Sequence, residues 1–257
     1  MMPFSDDLLR CFSPQAKVIY LPTVASTNDT AHNLSFRHGD LILAEQQEAG
    51  RGQQGNSWVS EPGRNLTFSL VLEPRFLPAD RQFQLLEAVS LGVTDALAEF
   101  DMKPSIKWPN DILIDGRKVA GILIEHDLRG MELVRSIVGI GLNVNQEVFP
   151  VEIPAPISMA QAAGRMFDRA EALGVLCRCI CNRYRSLERG ETDRLNTDYH
   201  ARLYRLNEPA HYRTPEEGFF TGIIRHVGSF GELYVERPGG EVKSYLFKEI
   251  EFLPEGK

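Results

Sequence analysis

The sequence predicts an α+β fold: a mixed β-sheet with helices over residues 1–206, followed by a small β domain over residues 207–257. Three observations lead there. Short apolar runs of strand length, at 18–21, 41–44 and 66–72, are interleaved with a long segment of helical period at 81–100. The dipeptide Asp115-Gly116 lies between the apolar runs 112–114 and 119–124, a hairpin signal. From Pro209 the texture changes to strand-like runs at 219–225, 232–237 and 242–247 joined by glycine turns, the pattern of a compact β module or small barrel.

The remaining elements follow in order. Ser26 or Thr27 can cap a helix reaching about residue 38, with Gly39 as its stop. A polar glycine-containing loop occupies 48–56. In 81–100, Phe83, Leu86, Val89, Val93, Leu97 and Phe100 share one helical face. Residues 136–144 read as a further strand, and its edge near 139–145 offers a place where two copies could pair as a homodimer. Ser158 with Gln161, and Asp168 with Glu171, are capping-box patterns that start two helices, the second ending near Gly190. A last helix spans about 193–206.

Composition narrows the class. With 43% hydrophobic and 25% charged residues the chain can build an ordinary core. Its formal charge is 28 − 35 = −7, which gives no general attraction to nucleic acid. No apolar run approaches the roughly 18 residues of a membrane helix, and residues 1–10 do not resemble a signal peptide, so a cytoplasmic location is expected. Of four cysteines, three crowd into Cys177-Arg-Cys179-Ile-Cys181, which is no disulfide framework. Cys177 and Cys181, four apart on a helix, read as packing residues.

Five segments carry chemistry. In Glu48-Ala-Gly-Arg-Gly-Gln-Gln-Gly-Asn-Ser-Trp58, glycines 50, 52 and 55 permit close backbone approach and can present N–H groups to an anion. Arg51 adds a fixed cation and Trp58 a flat apolar surface. Taken alone, the segment reads first as a plain loop, and it matches neither the P-loop nor the dinucleotide fingerprint. In Lys107-Trp-Pro-Asn-Asp111, Pro109 stops a strand and leaves a cation, an amide and a carboxylate at its end. The alternative there is a surface turn around a buried Trp108. In Arg117-Lys-Val-Ala-Gly-Ile-Leu-Ile-Glu125, strict alternation puts Lys118 on one face with Ala120, Ile122 and Ile124, where it either meets an anion or snorkels to solvent. Gly139-Ile-Gly-Leu-Asn-Val-Asn145 combines alternating glycines with Asn143 and Asn145 at a sheet end. Ser26-Thr-Asn28 is a small polar helix start, able to bind a polar ring or simply to cap.

Together, and in this order, the five segments resemble those of the biotin protein ligases. The motifs run from Ser26 to Asn145, and the terminal β module fits as well. The resemblance implies the catalytic fold shared with lipoate ligases, followed by an SH3-like barrel. It implies an enzyme that makes biotinyl-AMP from biotin and ATP, with Mg²⁺ carried by the ATP phosphates rather than by protein side chains. The biotinyl group then passes to a lysine of a biotin carboxyl carrier protein. On this resemblance Ser26, Thr27, Asn28 and Gln47 hold biotin. Arg51, Gly52 and Gln53 close over the biotin carboxylate and α-phosphate. Trp58 packs near the adenine, Lys107, Asn110 and Asp111 place ATP and its metal, and Asn143 reaches the adenylate. Lys118 contacts the carboxylate and phosphate oxygens and, with Arg51, is the catalytic residue.

Two departures stand out. Where the family's loop often carries further arginines, this chain has Gln53, Gln54 and Asn56, which donate hydrogen bonds but bring no charge. About twenty residues precede the first catalytic strand, too few for a helix-turn-helix, so a monofunctional ligase is expected. A lipoate–protein ligase and a biotin-responsive DNA-binding regulator are the rivals. The Gly-Arg-Gly loop with Trp58 and the Lys-Trp-Pro-Asn-Asp segment disfavour the first. The charge and the missing helix-turn-helix disfavour the second.

Overall fold

A seven-stranded sheet organises most of the chain in the computed structural model, which describes residues 4–33, 35–153 and 155–253. Its strands are β1 (Val18–Val24), β2 (Leu41–Gln47), β3 (Leu66–Leu72), β4 (Pro104–Lys107), β5 (Asp111–Ile114), β6 (Arg117–Arg129) and β7 (Glu132–Leu142). The spatial order is β1-β2-β3-β7-β6-β5-β4. β1 and β2 are parallel, joined through α1 (Thr27–Ala31), and every other neighbouring pair is antiparallel. Asp115 and Gly116 both take positive φ, 50° and 71°, as a two-residue type I′ hairpin requires.

Strand alternation divides the sheet into two unlike faces. Leu41 and Leu43 of β2, Leu66, Phe68, Leu70 and Leu72 of β3, Ile112 and Ile114 of β5, Ala120 and Ile122 of β6, and Val138, Ile140 and Leu142 of β7 enter the main core. There they meet α2 (Phe83–Ala98), α4 (Arg169–Glu188) and α5 (Thr192–Ala201). α2 and α4 approach so closely that Gly92 leaves no room for a Cβ, which would lie 2.6 Å from the Ile180 Cα. The intervening positions face the other way. At one end they form a small apolar cluster of Ala31, Ile42, Val71 and Ile137 beneath α1. Further along they present Thr67, Ser69, Gly139 and Gly141, and the functional side chains gather there.

Several expectations are corrected by contacts distant in sequence. α1 ends at Ala31 rather than near residue 38, because the buried guanidinium of Arg135 takes up the Ala31 and Asn33 carbonyls that a longer helix would use. The edge proposed for pairing two copies is not an edge: β7 lies inside the sheet, bonded to β3 on one side and β6 on the other. Lys118 does not share a face with Ala120 and Ile122. A bulge sets Ile112 opposite Ala120 but Leu113 opposite Lys118, and the lysine ends on the opposite face, 3.3 Å from where a Gly121 Cβ would stand. The capping box at Ser158 is present and starts α3 (Met159–Ala163), and Asp168 caps α4 by accepting from the amides of Ala170 and Glu171. The last helix stops at Ala201, short of residue 206. Cys177, Cys179 and Cys181 are buried along α4.

The C-terminal strands β8 (Pro209–Thr214), β9 (Gly218–Val227), β10 (Leu233–Glu236), β11 (Val242–Tyr245) and β12 (Glu251–Phe252) form a five-stranded antiparallel sheet, consistent with the SH3-like expectation. Two of these strands, β8 and β12, go beyond the runs read from sequence. The sheet is bonded to the larger unit through Trp108, whose Nε1 donates to the Gly231 carbonyl at 2.9 Å and whose ring lies 5.0 Å from Phe247. His200 Nε2 accepts from the Val227 amide at 2.9 Å. No helix of the described residues is long and apolar enough to cross a membrane.

Candidate functional site

The site is built on glycine. Gly121 of β6 pairs directly with Gly141 of β7, and Leu123 pairs with Gly139. A Cβ on Gly139 would collide with the amide of Asn28, and one on Gly141 with the indole of Trp58. One on Gly121 would stand 3.2 Å from Trp58 Cζ3 and 3.3 Å from Lys118 Nζ. Three missing side chains therefore make a shallow floor over which α1, the 48–58 loop and Lys118 converge.

The α1 end of the floor is polar and tightly bonded. Ser26 caps the helix, accepting from the Asp29 amide at 3.4 Å. Thr27 donates from both its amide and its hydroxyl to Gln47 Oε1, at 2.7 and 3.0 Å. Ser69 Oγ lies 2.8 Å from Thr27 Oγ1 and donates to Asn28 Oδ1 at 2.6 Å. Asn28 Nδ2 donates to Glu125 Oε2 at 2.7 Å. Ser26, Thr27 and Asn28 are all buried, although they are polar and lie at a helix start.

The loop folds on itself above this end. The Gly52 amide donates to the Asn56 carbonyl at 2.7 Å, and the Trp58 amide to the Gly50 carbonyl at 2.9 Å. In this arrangement the Gly52 N–H is used inside the loop. Residues Gln53–Gly55 make a tight turn, with Gly55 at φ 86°. Gln53 is half-buried and Asn56 exposed, whereas the side chain of Gln54 lies outside the described residues. Arg51 Nη2 meets Asp29 Oδ1 at 2.6 Å and Glu125 Oε2 at 2.8 Å, so its charge is met by two protein carboxylates. Trp58 lies on the glycine floor with its Nε1 buried and unpartnered.

At the other end Lys118 Nζ pairs with Asp111 Oδ1 at 2.6 Å and lies 5.7 Å from the centre of a Trp58 ring. Lys107, opposite Asp111 in the β4–β5 register, stands 5.4 Å from the ring centre of Phe252. Burial holds the Lys107 ammonium below its ordinary pKa; Asp111 opposes that shift and Lys118 adds to it. Asn110 is committed to the backbone, donating to the Ile122 carbonyl at 2.6 Å. Asn143 is buried, and its amide donates to the Ile157 carbonyl at 3.1 Å and reaches the Lys118 carbonyl at 3.5 Å. Both amides thus fix the backbone that carries Lys118, rather than pointing into open space.

The predicted residues therefore assemble as two polar groups joined by Trp58: Ser26, Thr27, Asn28, Gln47 and Arg51 at one end, and Lys107, Asp111 and Lys118 at the other. Sequence reasoning gave no role to Ser69, Asp29 or Glu125. For Ser69 the signal was a pair of hydroxyls two apart, Thr67 and Ser69, inside the otherwise apolar run Leu66–Leu72. Such residues are buried only where something polar covers them.

Comparisons with known proteins bear on the family and the fold. The sequence profile of the Biotin/lipoate A/B protein ligase family matches residues 20–143. The chain is 39% identical over 177 residues to the bifunctional ligase/repressor BirA of Bacillus subtilis, a match covering 65% of this chain and 54% of that protein. It thus spans about half the length of that relative. It is 33% identical over 213 residues to a biotin–[acetyl-CoA-carboxylase] ligase of Paracoccus denitrificans, covering 77% of this chain and 85% of that one. The biotin protein ligase of Aquifex aeolicus, solved in complex with biotin and ATP, superposes with a TM-score of 0.77 at 28% identity over 91% of this chain and 97% of that one. The chain belongs to the biotin protein ligases of the biotin/lipoate A/B protein ligase family.

Proposed function

We propose that the chain activates biotin with ATP and transfers the biotinyl group to a lysine of a biotin carboxyl carrier protein. The observation that carries this reading is the glycine floor of Gly121, Gly139 and Gly141, with a polar group that includes Arg51 at one end and a paired lysine at the other. A flat ring system carrying a urea-like group would meet Thr27, Asn28, Gln47 and Ser69 at the first end, exchanging for bonds to the ligand some of those these groups make to one another. The carboxylate of such a ligand then reaches toward Lys118 and Arg51.

The chemistry asks for two anions to be held together. An oxygen of the biotin carboxylate attacks the α-phosphorus of ATP, and the bond to the β-phosphate breaks to release pyrophosphate. The free amine of the acceptor lysine then attacks the carbonyl of the mixed anhydride, expelling AMP and losing a proton. No nucleophile of the chain is consumed. Lys118 and Arg51 oppose the charge repulsion, and Lys107 and Asp111 flank the triphosphate. Asn143 and Asn110 hold the strands that carry Lys118. Mg²⁺ bound to ATP supplies further charge neutralisation. The residues present fit a cation delivered on phosphate: Asp111 provides a single carboxylate that could share it.

In this reading residues 1–206 are the catalytic domain and 207–257 an SH3-like domain that buttresses Lys107 and Trp108. The paralogous reading, lipoate ligation, is separated by the assay itself. The test is ATP–pyrophosphate exchange with biotin or lipoate, followed by transfer of labelled biotin to a carrier domain. Lys118→Ala is expected to lower exchange by about 10²–10³-fold, the loss typical of one preorganised charge-stabilising donor. Exchange with lipoate alone, or full activity of the Lys118 variant, overturns the assignment.

A further inference from the structure

The motif that supplies Lys118 ends in Glu125, and nothing in the adenylation chemistry above uses that carboxylate. Glu125 lies on the floor side of β6, and its Oε2 accepts from Asn28 Nδ2 at 2.7 Å and from Arg51 Nη2 at 2.8 Å. The first group belongs to the start of α1 and the second to the 48–58 loop. The other charged groups facing it are Asp29, which shares Arg51 Nη2, and His32, whose Nε2 lies 3.7 Å from the same oxygen. Beyond them Asp127 stands 4.0 Å from His32 Nδ1.

A carboxylate only accepts hydrogen bonds, so Glu125 fixes which end of the Asn28 amide faces it. With Ser69 donating to the opposite end, the amide has a single orientation. For Arg51 the effect is an anchor at one corner. Both ion pairs run through Nη2, which leaves the remainder of the planar fork as the part a ligand anion can grip. We propose that Glu125 is a positioning residue: one carboxylate oxygen sets Asn28 and Arg51 relative to each other and so ties the loop to the wall of the pocket. Its consequence for biotin rests on the function proposed above; the tie itself does not.

The experiment uses the full chain and two readouts. Without ligand, trypsin cleavage after Arg51 reports release of the loop, with cleavage after the exposed Arg64 as internal control. Glu125→Ala is expected to speed cleavage after Arg51 about fivefold or more, and Glu125→Gln, which keeps a carbonyl acceptor, by less. With ligands, Glu125→Ala is expected to raise the KM for biotin about tenfold in pyrophosphate exchange while changing kcat far less. Arg51→Gln is expected to cost clearly less in the Glu125→Ala background than in the native chain, because part of what each does runs through the other. Should the alanine variant fail to fold, the near-isosteric Glu125→Gln carries both readouts. Unchanged cleavage after Arg51, or effects of Glu125→Ala and Arg51→Gln that simply multiply, overturns the proposal. A native chain inert toward biotin but with accelerated cleavage in the variant overturns the substrate assignment and leaves the tie standing.

Discussion

Replacing Gly141 by alanine asks the glycine floor to carry one methyl group. The strand backbone accepts alanine, and removing glycine from a strand by itself contributes about 0.5–1 kcal/mol of stability. The methyl would intrude on the Trp58 indole, lying 2.6 Å from its Nε1 and closer still to two ring carbons, so the ring must lift away. Losing the half-buried contact of an aromatic side chain costs about 2 kcal/mol, and hydration of the orphaned Nε1 returns about 1 kcal/mol. The net change in stability is then a loss of about 0.5 kcal/mol or less, a shift in Tm of at most about 2 °C. Activity should respond far more, because displacing a group that shapes the ligand site by about an ångström can cost 10²-fold in kcat/KM. Gly121→Ala makes a graded comparison. Its methyl would meet Trp58 Cζ3 at 3.2 Å and the flexible end of Lys118 at 3.3 Å, needing shifts of only tenths of an ångström, and about tenfold is expected. Biotin-dependent exchange, Trp fluorescence and thermal melts measure all three quantities. If Gly141→Ala keeps exchange within about threefold of the native chain, or Gly121→Ala is the worse variant, the floor is not where the ligand lies.

Two further outcomes concern the scaffold. Glu87, buried on α2 and accepting from Asn196 Nδ2 at 3.0 Å, has its carboxyl pushed up to about 7 by burial. Its folded pKa exceeds its unfolded one, so its contribution to stability is complete below about pH 4.5 and is lost as the pH rises through about 7. Glu87→Gln should therefore match the native chain at pH 4.5 and gain on it by about 2–3 kcal/mol at pH 8. Denaturant melts showing an equal gain at both pH values would contradict this. Gly92→Ala places a methyl 2.6 Å from the Ile180 Cα, where backbone rather than a movable side chain blocks it. A loss of about 2–3 kcal/mol is expected, with a thermal melt as the check, and a neutral result would mean that α2 and α4 are less closely held.

Local signals were legible because their partners are local. The run 66–72 is β3, Asp115-Gly116 is the β5–β6 turn, and Ser158 with Gln161 is a capping box. The ordered motifs also picked out residues that the fold brings together over one stretch of the sheet. What stayed hidden depends on neighbours far along the chain. Arg135 terminates α1 from about a hundred residues away. A bulge between β5 and β6 reverses the face of Lys118, which alternation alone assigned wrongly. The strand carrying Gly139 and Gly141 looked like a free edge because sequence does not show that β3 and β6 flank it. Arg51 read as a bare cation because Asp29 and Glu125 reach it only once α1 and β6 are packed together.

That last pairing changes how the altered loop is to be understood. Arg51, Lys107 and Lys118 are the cations around the floor, and Asp29, Asp111 and Glu125 are the carboxylates beside them. The local charges balance before any ligand arrives. A biotinyl-AMP there brings one phosphate anion, and its precursors bring a carboxylate and a triphosphate. Gln53 and Asn56 add no charge to offset them, so retention of the adenylate falls on Lys118, on the part of Arg51 not tied to the carboxylates, and on metal carried by the phosphates. Gln53→Arg restores a cation at a half-buried loop position. A charged hydrogen bond there, discounted for solvent, should slow release of biotinyl-AMP about fivefold to tenfold. The effect should shrink as salt is raised, because screening acts on an exposed pair. Stopped-flow release measured at low and high ionic strength reads both. Unchanged release at low salt would mean that the loop amides already hold the phosphate by hydrogen bonding alone, and that the missing charge has no bearing on how long the intermediate stays.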